Sequence, residues 1–396
     1  MYITMATRIC ITMATRRSIA IGNSLLLLPK KALQPSNMWS LTTKASTYTA
    51  ATIYDEKRLF PFTTSPGFHG NRRHHVTKAT EEDPYHSRLP DVAEIRPRQD
   101  PVVWGDDSEK AGPFSRKELE FYKTNGYIVV EGLFDVHEIK TCRERFTSLR
   151  DTFEEDMESN KQEYIDTGKY VCVSEPGSTK IKSIYSTHKF LPVANQLSRD
   201  RRIAGRVQQI LDSDVYIHHS RVNFQQAVKG SGFYWHSDFE TWHTEDGMPR
   251  PRSMSCVVLM ANNLPQNGAL MVIPGSHKHY IVCKGETPEN NWLGSLQDQY
   301  TGLPNHQALS QMVKEGGIHY CTGEAGSVIF FDCNLLHGSH TNISPWDRTN
   351  IFLAYNSVDN RLVAPFGPPK PRPEHVGTRD PAWVQPIIPL DKPTEY

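Results

Sequence analysis

A histidine, an aspartate and a second, distant histidine are the residues whose types and spacing in this chain most directly suggest chemistry. His236-Ser237-Asp238 lies within FYWHSDFETWHTEDGMP, residues 233–249. On an extended segment alternate side chains point the same way, so the imidazole and the carboxylate can converge on one ion. Downstream, EAGSVIFFDCNLLH (324–337) runs from turn residues through an apolar, strand-like core to His337. Two histidines and one carboxylate on one face of a metal leave coordination positions open, the ligand set of non-haem iron(II) oxygenases. A bidentate 2-oxo acid and dioxygen could occupy those positions. The acid's distal carboxylate would then need a buried cation, and an arginine fork meets it with two hydrogen bonds at fixed geometry. Arg348, eleven residues beyond His337 at the head of RTNIFLAYN, is the candidate anchor.

With GALMVIPGSHK (268–278) between them, His236, Asp238, His337 and Arg348 resemble the pattern of the phytanoyl-CoA dioxygenase superfamily of iron(II)/2-oxoglutarate enzymes. Within it, the 17-residue stretch at 233–249 is similar to the signature of the ectoine hydroxylases. The likeness extends from about Asp100 to the proline-rich tail. It implies a double-stranded β-helix, or jelly roll, with Fe2+ held by His236, Asp238 and His337 and with 2-oxoglutarate and O2 as cosubstrates. It further implies that Asn223, Ser255 and Tyr185 help Arg348 to hold 2-oxoglutarate, and that Trp242, His219 and Arg372 face the substrate. The implied reaction hydroxylates ectoine to 5-hydroxyectoine, with release of succinate and CO2.

Ectoine is a cyclic amidine bearing a carboxylate. An indole face such as that of Trp242 attracts a desolvated cation by roughly 0.5 to 2 kcal/mol, and Arg372 could take the carboxylate. Two positions depart from the resembled pattern: Lys182 stands where an arginine is usual, and His219 where a substrate-contacting glutamine is usual. Histidine keeps a hydrogen-bonding edge but alters its reach and adds a titratable group. A second expectation therefore keeps the chemistry and changes the substrate to a related small zwitterion, such as a cyclic amino acid. A metal-free jelly-roll binding protein or a zinc hydrolase is a further alternative, disfavoured by the intact His-x-Asp, His and Arg set. His243 follows His236 by seven residues, and odd spacing on a continuing strand sends it to the other face, in a structural role.

The elements that must position these residues are legible in outline. Ser115 with Glu118 forms a capping box and Phe114 with Leu119 a hydrophobic staple, so a helix starts there and stops at Asn125-Gly126. Tyr127 to Val130 reads as a strand. Asp135 with Glu138 opens a second helix with the stripe Ile139, Cys142, Phe146 and Leu149; Ile203, Val207, Ile210 and Leu211 mark another. From Asp214 onward short β-rich runs alternate with Gly, Pro and Asn: 215–218, 222–228, 233–238, 254–260, 269–273, 327–332 and 350–355. Many short strands with turn punctuation predict two packed sheets of jelly-roll type, buttressed by the helices. Residues 280–320 are less regular and suit a lid or surface loop beside the site.

The chain has 396 residues and a formal net charge of zero, ample for a large core. Charge is uneven: Arg8, Arg16, Arg17, Lys30, Lys31 and Lys44 fall in 1–54, which holds no acid, so the remainder is mildly acidic and unsuited to nucleic acid. Residues 1–54, rich in Arg, Ser, Thr and Ala, read as an organellar transit segment, mitochondrial or otherwise. The segment ITMATR occurs there twice, with no physical reading. Residues 55–112 read as a flexible linker or arm, 113–363 as the dioxygenase domain, and 364–396 as a proline-rich tail packed on it. The seven cysteines are scattered without a C-x-x-C pair, as free thiols in a reducing compartment would be. No stretch approaches the ~20 apolar residues of a membrane span. The expected partner is a small molecule rather than nucleic acid or membrane, and the sequence leaves a homodimer open.

Overall fold

The β-rich runs assemble into two antiparallel sheets that face each other. The computed structural model describes residues 83–89, 94–105, 112–160, 164–166 and 171–391; the transit segment expected at 1–54 lies outside them. Numbered in chain order, the larger sheet has the strand order β2 (Tyr127–Val130), β12 (Val328–Asp332), β8 (Ser253–Leu259), β14 (Arg348–Ser357), β6 (Val215–Gln225), β5 (Ile181–Tyr185), β4 (Val171–Ser174) and β3 (Tyr164–Asp166). The smaller sheet runs β11 (His319–Cys321), β9 (Leu270–Val272), β13 (His337–Ser339) and β7 (Phe233–His236). A separate pair joins β1 (Glu94–Pro97) to β10 (His279–Val282). No helix among the described residues is long and apolar enough to cross a membrane.

Every residue of β8 and β14 is buried, because the large sheet is covered on both faces. On one face lie helices α1 (Arg116–Asn125), α2 (Val136–Asn160), α4 (Pro192–Arg199) and α5 (Arg201–Leu211), preceded by the single-turn α3 (Thr187–Phe190). Ile139, Cys142 and Phe146 of α2 and Ile203, Val207 and Ile210 of α5 pack there on Val222, Ile351 and Leu353. On the other face Val257, Ile329, Phe331 and Phe352 meet Leu270 and Val272 of the small sheet. The capping box at Ser115 forms as the sequence predicts, with Gly126 closing the helix in the left-handed conformation at φ 79°. Asp135 accepts from the backbone N–H groups of His137 and Glu138, while Glu138 reaches back to the Asp135 N–H.

Three expectations are revised. The runs 215–218 and 222–228 are one strand, β6, whose pairing with β14 slips between Ala354 and Tyr355, so that His218 is the extra residue of a bulge. Side chains on one side of that bulge switch faces relative to those on the other. The strand expected over 233–238 ends at His236. Ser237 then accepts from the Glu240 N–H as an N-cap, and Asp238 is the first residue of helix α6 (Asp238–Asp246). The stretch expected as a flexible linker or arm is a docked arm where it is described: β1 pairs with β10, and the Tyr85 hydroxyl donates to Asp100 at 2.6 Å. The tail follows suit, with the Thr378 N–H on the His218 carbonyl and the Ile387 N–H on the Val215 carbonyl. The irregular stretch 280–320 holds two further helices, α7 (Trp292–Ser295) and α8 (His306–Gly316).

Arg98 of the arm gives this docking a buried ion pair. Its Nη1 lies 2.8 Å from both carboxylate oxygens of Asp332, and both side chains are buried. Truncation to Arg98→Ala would strand the aspartate in the interior. The expected outcome is a loss of about 3–5 kcal/mol of unfolding free energy in a urea melt.

Candidate active site

The two histidines are fixed by backbone neighbours two residues away. Nδ1 of His236 bonds the Tyr234 carbonyl at 2.7 Å and Nδ1 of His337 bonds the Leu335 carbonyl at 2.9 Å. Since a carbonyl only accepts, each Nδ1 carries the proton, and each Nε2 presents a lone pair. His236 and His337 are direct cross-strand partners on β7 and β13, with ring centroids 4.2 Å apart. Asp238 Oδ1 reaches both rings from the first turn of α6, 3.7 Å from Nε2 of His236 and 3.8 Å from Nε2 of His337. The three donor atoms lie within 4.8 Å of one another. Burial, with His337 beside it, pulls the His236 pKa down to about 3, so its imidazole is neutral, as a ligand must be. The donor set, the fixed tautomers and the common focus fit a divalent transition metal.

Ser255, expected beside the cosubstrate, instead donates from Oγ to Asp238 Oδ2 at 3.0 Å. It lies directly across from Ala354, at the end of β8 that reaches the aspartate. Its hydroxyl therefore steadies the carboxylate whose other oxygen points at the metal position.

Arg348 is buried on β14 beside the histidines, in a recess also lined by Asn223, His236, His337, Ser339 and Phe352. Its Nε donates to Gln225 Oε1 at 2.8 Å and to the Asn267 carbonyl at 3.1 Å, and its Nη2 also meets Gln225 Oε1. Gln225 is held in turn by the Ser231 and His340 carbonyls. Among the described residues no carboxylate pairs with Arg348, and burial lowers its pKa to about 9. A guanidinium kept dry without a counter-ion is a receptor for an anion. Asn223 faces the same recess and accepts from Ser183 Oγ at 2.8 Å.

A second chamber shares Arg221, Phe233 and His236 with this recess and is lined in addition by Asp238, Trp242, His219, Tyr185 and Arg372. Tyr185, expected beside the cosubstrate, lines the chamber of Trp242 and is not among the residues that line the Arg348 recess. Trp242 lies edge-on to His219 at 5.5 Å and tilted to His218 at 4.8 Å. The bulge lets both consecutive histidines reach the same indole. Burial holds His219 well below the usual imidazole pKa. Arg372 reaches the chamber, but its Nε and Nη2 are bound to Asp246 at 2.9 and 2.6 Å. The fork expected for a substrate carboxylate is therefore largely committed within the protein. His243 is structural for another reason than strand alternation: it sits on a helix, with Nδ1 on the Met248 carbonyl and Nε2 on Asp83.

Sequence reasoning missed Arg221, Gln225, Asp246 and Glu245. Arg221 lines both recesses and lies over the rings of Phe233 and Phe352. Period-two counting from Asn223 could have found Arg221 and Gln225, since His219, Arg221, Asn223 and Gln225 share one face of β6 opposite Ala354, Phe352, Asn350 and Arg348.

A jelly roll with a two-histidine, one-carboxylate centre between an unpaired buried arginine and an aromatic chamber defines a metal-dependent oxygenase class. The model of the phytanoyl-CoA dioxygenase family matches residues 122–350, and the chain belongs to that family. It is 42% identical over 310 residues to the ectoine dioxygenase of Bordetella bronchiseptica, covering 78% of this chain and 96% of that protein. With the ectoine dioxygenase of Sphingopyxis alaskensis the identity is 45% over 299 residues, covering 75% and 94%. The crystal structure of EctD from S. alaskensis with 2-oxoglutarate and 5-hydroxyectoine superposes with a TM-score of 0.67 at 41% identity, covering 78% of this chain and 98% of that one. These relatives are bacterial, and they lend no support to an organellar address for residues 1–54.

Ser255→Ala would leave Asp238 free to rotate away from the two imidazoles. Cobalt(II) titration, followed by visible absorption, is expected to show affinity weakened on the order of 10- to 100-fold, with the fold intact by circular dichroism.

Proposed function

We propose that this chain is an iron(II)- and 2-oxoglutarate-dependent dioxygenase that hydroxylates ectoine to 5-hydroxyectoine, with release of succinate and CO2. The observation that carries this reading is the placement of the His236, Asp238 and His337 cluster between two recesses of different chemistry. The relatives named ectoine dioxygenase, matched over nearly their whole length, support the substrate. So does the solved neighbour with 2-oxoglutarate and 5-hydroxyectoine bound.

Nε2 of His236, Nε2 of His337 and Oδ1 of Asp238 would hold the iron. When bound, that ion supplies the oxygen chemistry coupled to 2-oxoglutarate decarboxylation. Arg348 binds the distal carboxylate of 2-oxoglutarate, and Gln225 keeps the guanidinium plane turned toward it. Asn223 adds a polar edge to the same recess. In the second chamber Trp242 offers its indole face to the amidinium ring, and His219 provides the hydrogen-bonding edge that glutamine provides in the resembled family. Stoichiometry follows: one oxygen atom goes to succinate and one to the new hydroxyl.

His219, together with an Arg372 fork tied to Asp246, favours a second reading in which the same machinery acts on a related small zwitterion. The discriminating assay supplies the full chain with iron(II), 2-oxoglutarate and a panel of compatible solutes. Ectoine is expected to yield succinate and hydroxyectoine in equal amounts, and succinate formation on another solute alone would replace it as substrate. Arg348→Lys keeps the charge but loses the fork, and is expected to raise the 2-oxoglutarate KM on the order of 10-fold or more in the same assay.

A further inference from the structure

Helix α6 carries a carboxylate that the reaction as described does not use. The chamber around Trp242 is lined by two acids, Asp238 and Glu245. Asp238 belongs to the metal cluster. Glu245 is buried at 2% exposure, and only its Oε1 is engaged: it accepts from Arg88 Nη1 at 2.5 Å and from Asn291 Nδ2 at 3.0 Å. Its Oε2 has no hydrogen-bond partner among the described residues.

This carboxylate is held with unusual thoroughness. Arg88, from the docked arm, is itself buried and bridges two acids of α6, donating Nε and Nη2 to Glu240 at 3.1 and 3.0 Å and Nη1 to Glu245. Nη1 also meets Thr287 Oγ1 at 2.7 Å. The Arg88 backbone stands at φ 58°, a left-handed conformation that costs a non-glycine residue energy and persists only where its surroundings over-determine it. Gly302 passes so close that a Cβ there would lie 2.3 Å from Glu240 Oε2 and 2.8 Å from Arg88 Nη2. Asn291 continues the network, its Oδ1 accepting from Ser295 and Thr301, both of which line the chamber. One arginine set between two buried carboxylates leaves an excess of negative charge, and Glu245, which carries the open oxygen, lines the chamber.

We propose that Glu245 is a substrate-recognising residue whose Oε2 accepts a hydrogen bond from the cationic ring of the substrate, and that Arg88 is the positioning residue that holds it there. The assignment rests on the dioxygenase reading and deepens it. Trp242 meets the ring through its face, Glu245 meets an N–H at its edge, and a neutral ring of the same shape loses the charge assistance of that second contact. Arg88 lies outside the span matched by the family model, so this selectivity draws on the arm as well as the jelly roll.

The test measures ectoine KM, kcat, 2-oxoglutarate KM and thermal melting for the full-length chain and three variants. Glu245→Gln retains Oε1 for Arg88 and Asn291 and removes the charge. Its ectoine KM should rise on the order of 10- to 100-fold, the range for a hydrogen bond to a charged group, while kcat and 2-oxoglutarate KM hold, the signature of lost uniform binding. Glu245→Asp keeps the charge with shorter reach and should give a smaller rise, which preserves the test should the glutamine variant not fold. Arg88→Lys should raise ectoine KM and leave 2-oxoglutarate KM unchanged, a split that general destabilisation does not produce. A folded Glu245→Gln enzyme with wild-type ectoine KM would overturn the assignment alone. Absence of ectoine turnover by the wild-type chain would overturn the substrate reading, and this assignment with it.

Discussion

Three donor atoms within 4.8 Å of one another, two imidazole nitrogens and a carboxylate oxygen, form the constraint that organises this molecule. Left without a shared cation, lone pairs so close gain nothing from one another. Their convergence must therefore be imposed by what lies behind them. Behind each ring is a carbonyl of its own chain, and behind the carboxylate is the Ser255 hydroxyl. The direct pairing of β7 with β13 sets the two rings side by side, and the first turn of α6 brings the acid to both.

Around that focus the large sheet divides labour by parity. On β6 and β14 one set of alternate residues, among them Val222, Phe224, Ile351 and Leu353, feeds the core beneath the helices. The intervening set, Arg221, Asn223 and Gln225 with Arg348, Asn350 and Phe352, faces the site. A slip of one residue would exchange the two sets, which makes the register of this strand pair a chemical as well as a structural requirement. The bulge at His218 breaks the rule once, and there two consecutive histidines reach a single indole.

Buried charge is the third theme. Arg88 on Glu240 and Glu245, Arg98 on Asp332, and Arg372 on Asp246 each join the arm or the tail to helix α6 or strand β12. Pairs so far from water contribute little net stability, yet breaking one leaves a charge stranded, so they specify one docking of arm and tail over the alternatives. Among the described residues Arg348 is buried without a carboxylate partner, an environment that suits an anion.

By itself the sequence singled out the His236, Asp238 and His337 side chains that the structure brings together, the buried Arg348, the helix starts at Ser115 and Asp135, and the β-rich character after Asp214. Each is a local matter: residue type, short-range spacing, or capping chemistry read over a few positions. Family resemblance added Asn223, Trp242 and His219, which line the two recesses. What tertiary structure alone decided are the things that depend on partners far away in the chain. Asp238 begins a helix rather than ending a strand because Ser237 caps it and α6 packs beneath the arm. Ser255 bonds the aspartate, Arg372 is tied to Asp246, and the arm holds the Arg88 and Arg98 side chains in the interior. A polar, proline-bearing segment has no period to betray burial. Only when the acids of α6 and β12 are assembled does an arginine more than a hundred residues away find its place.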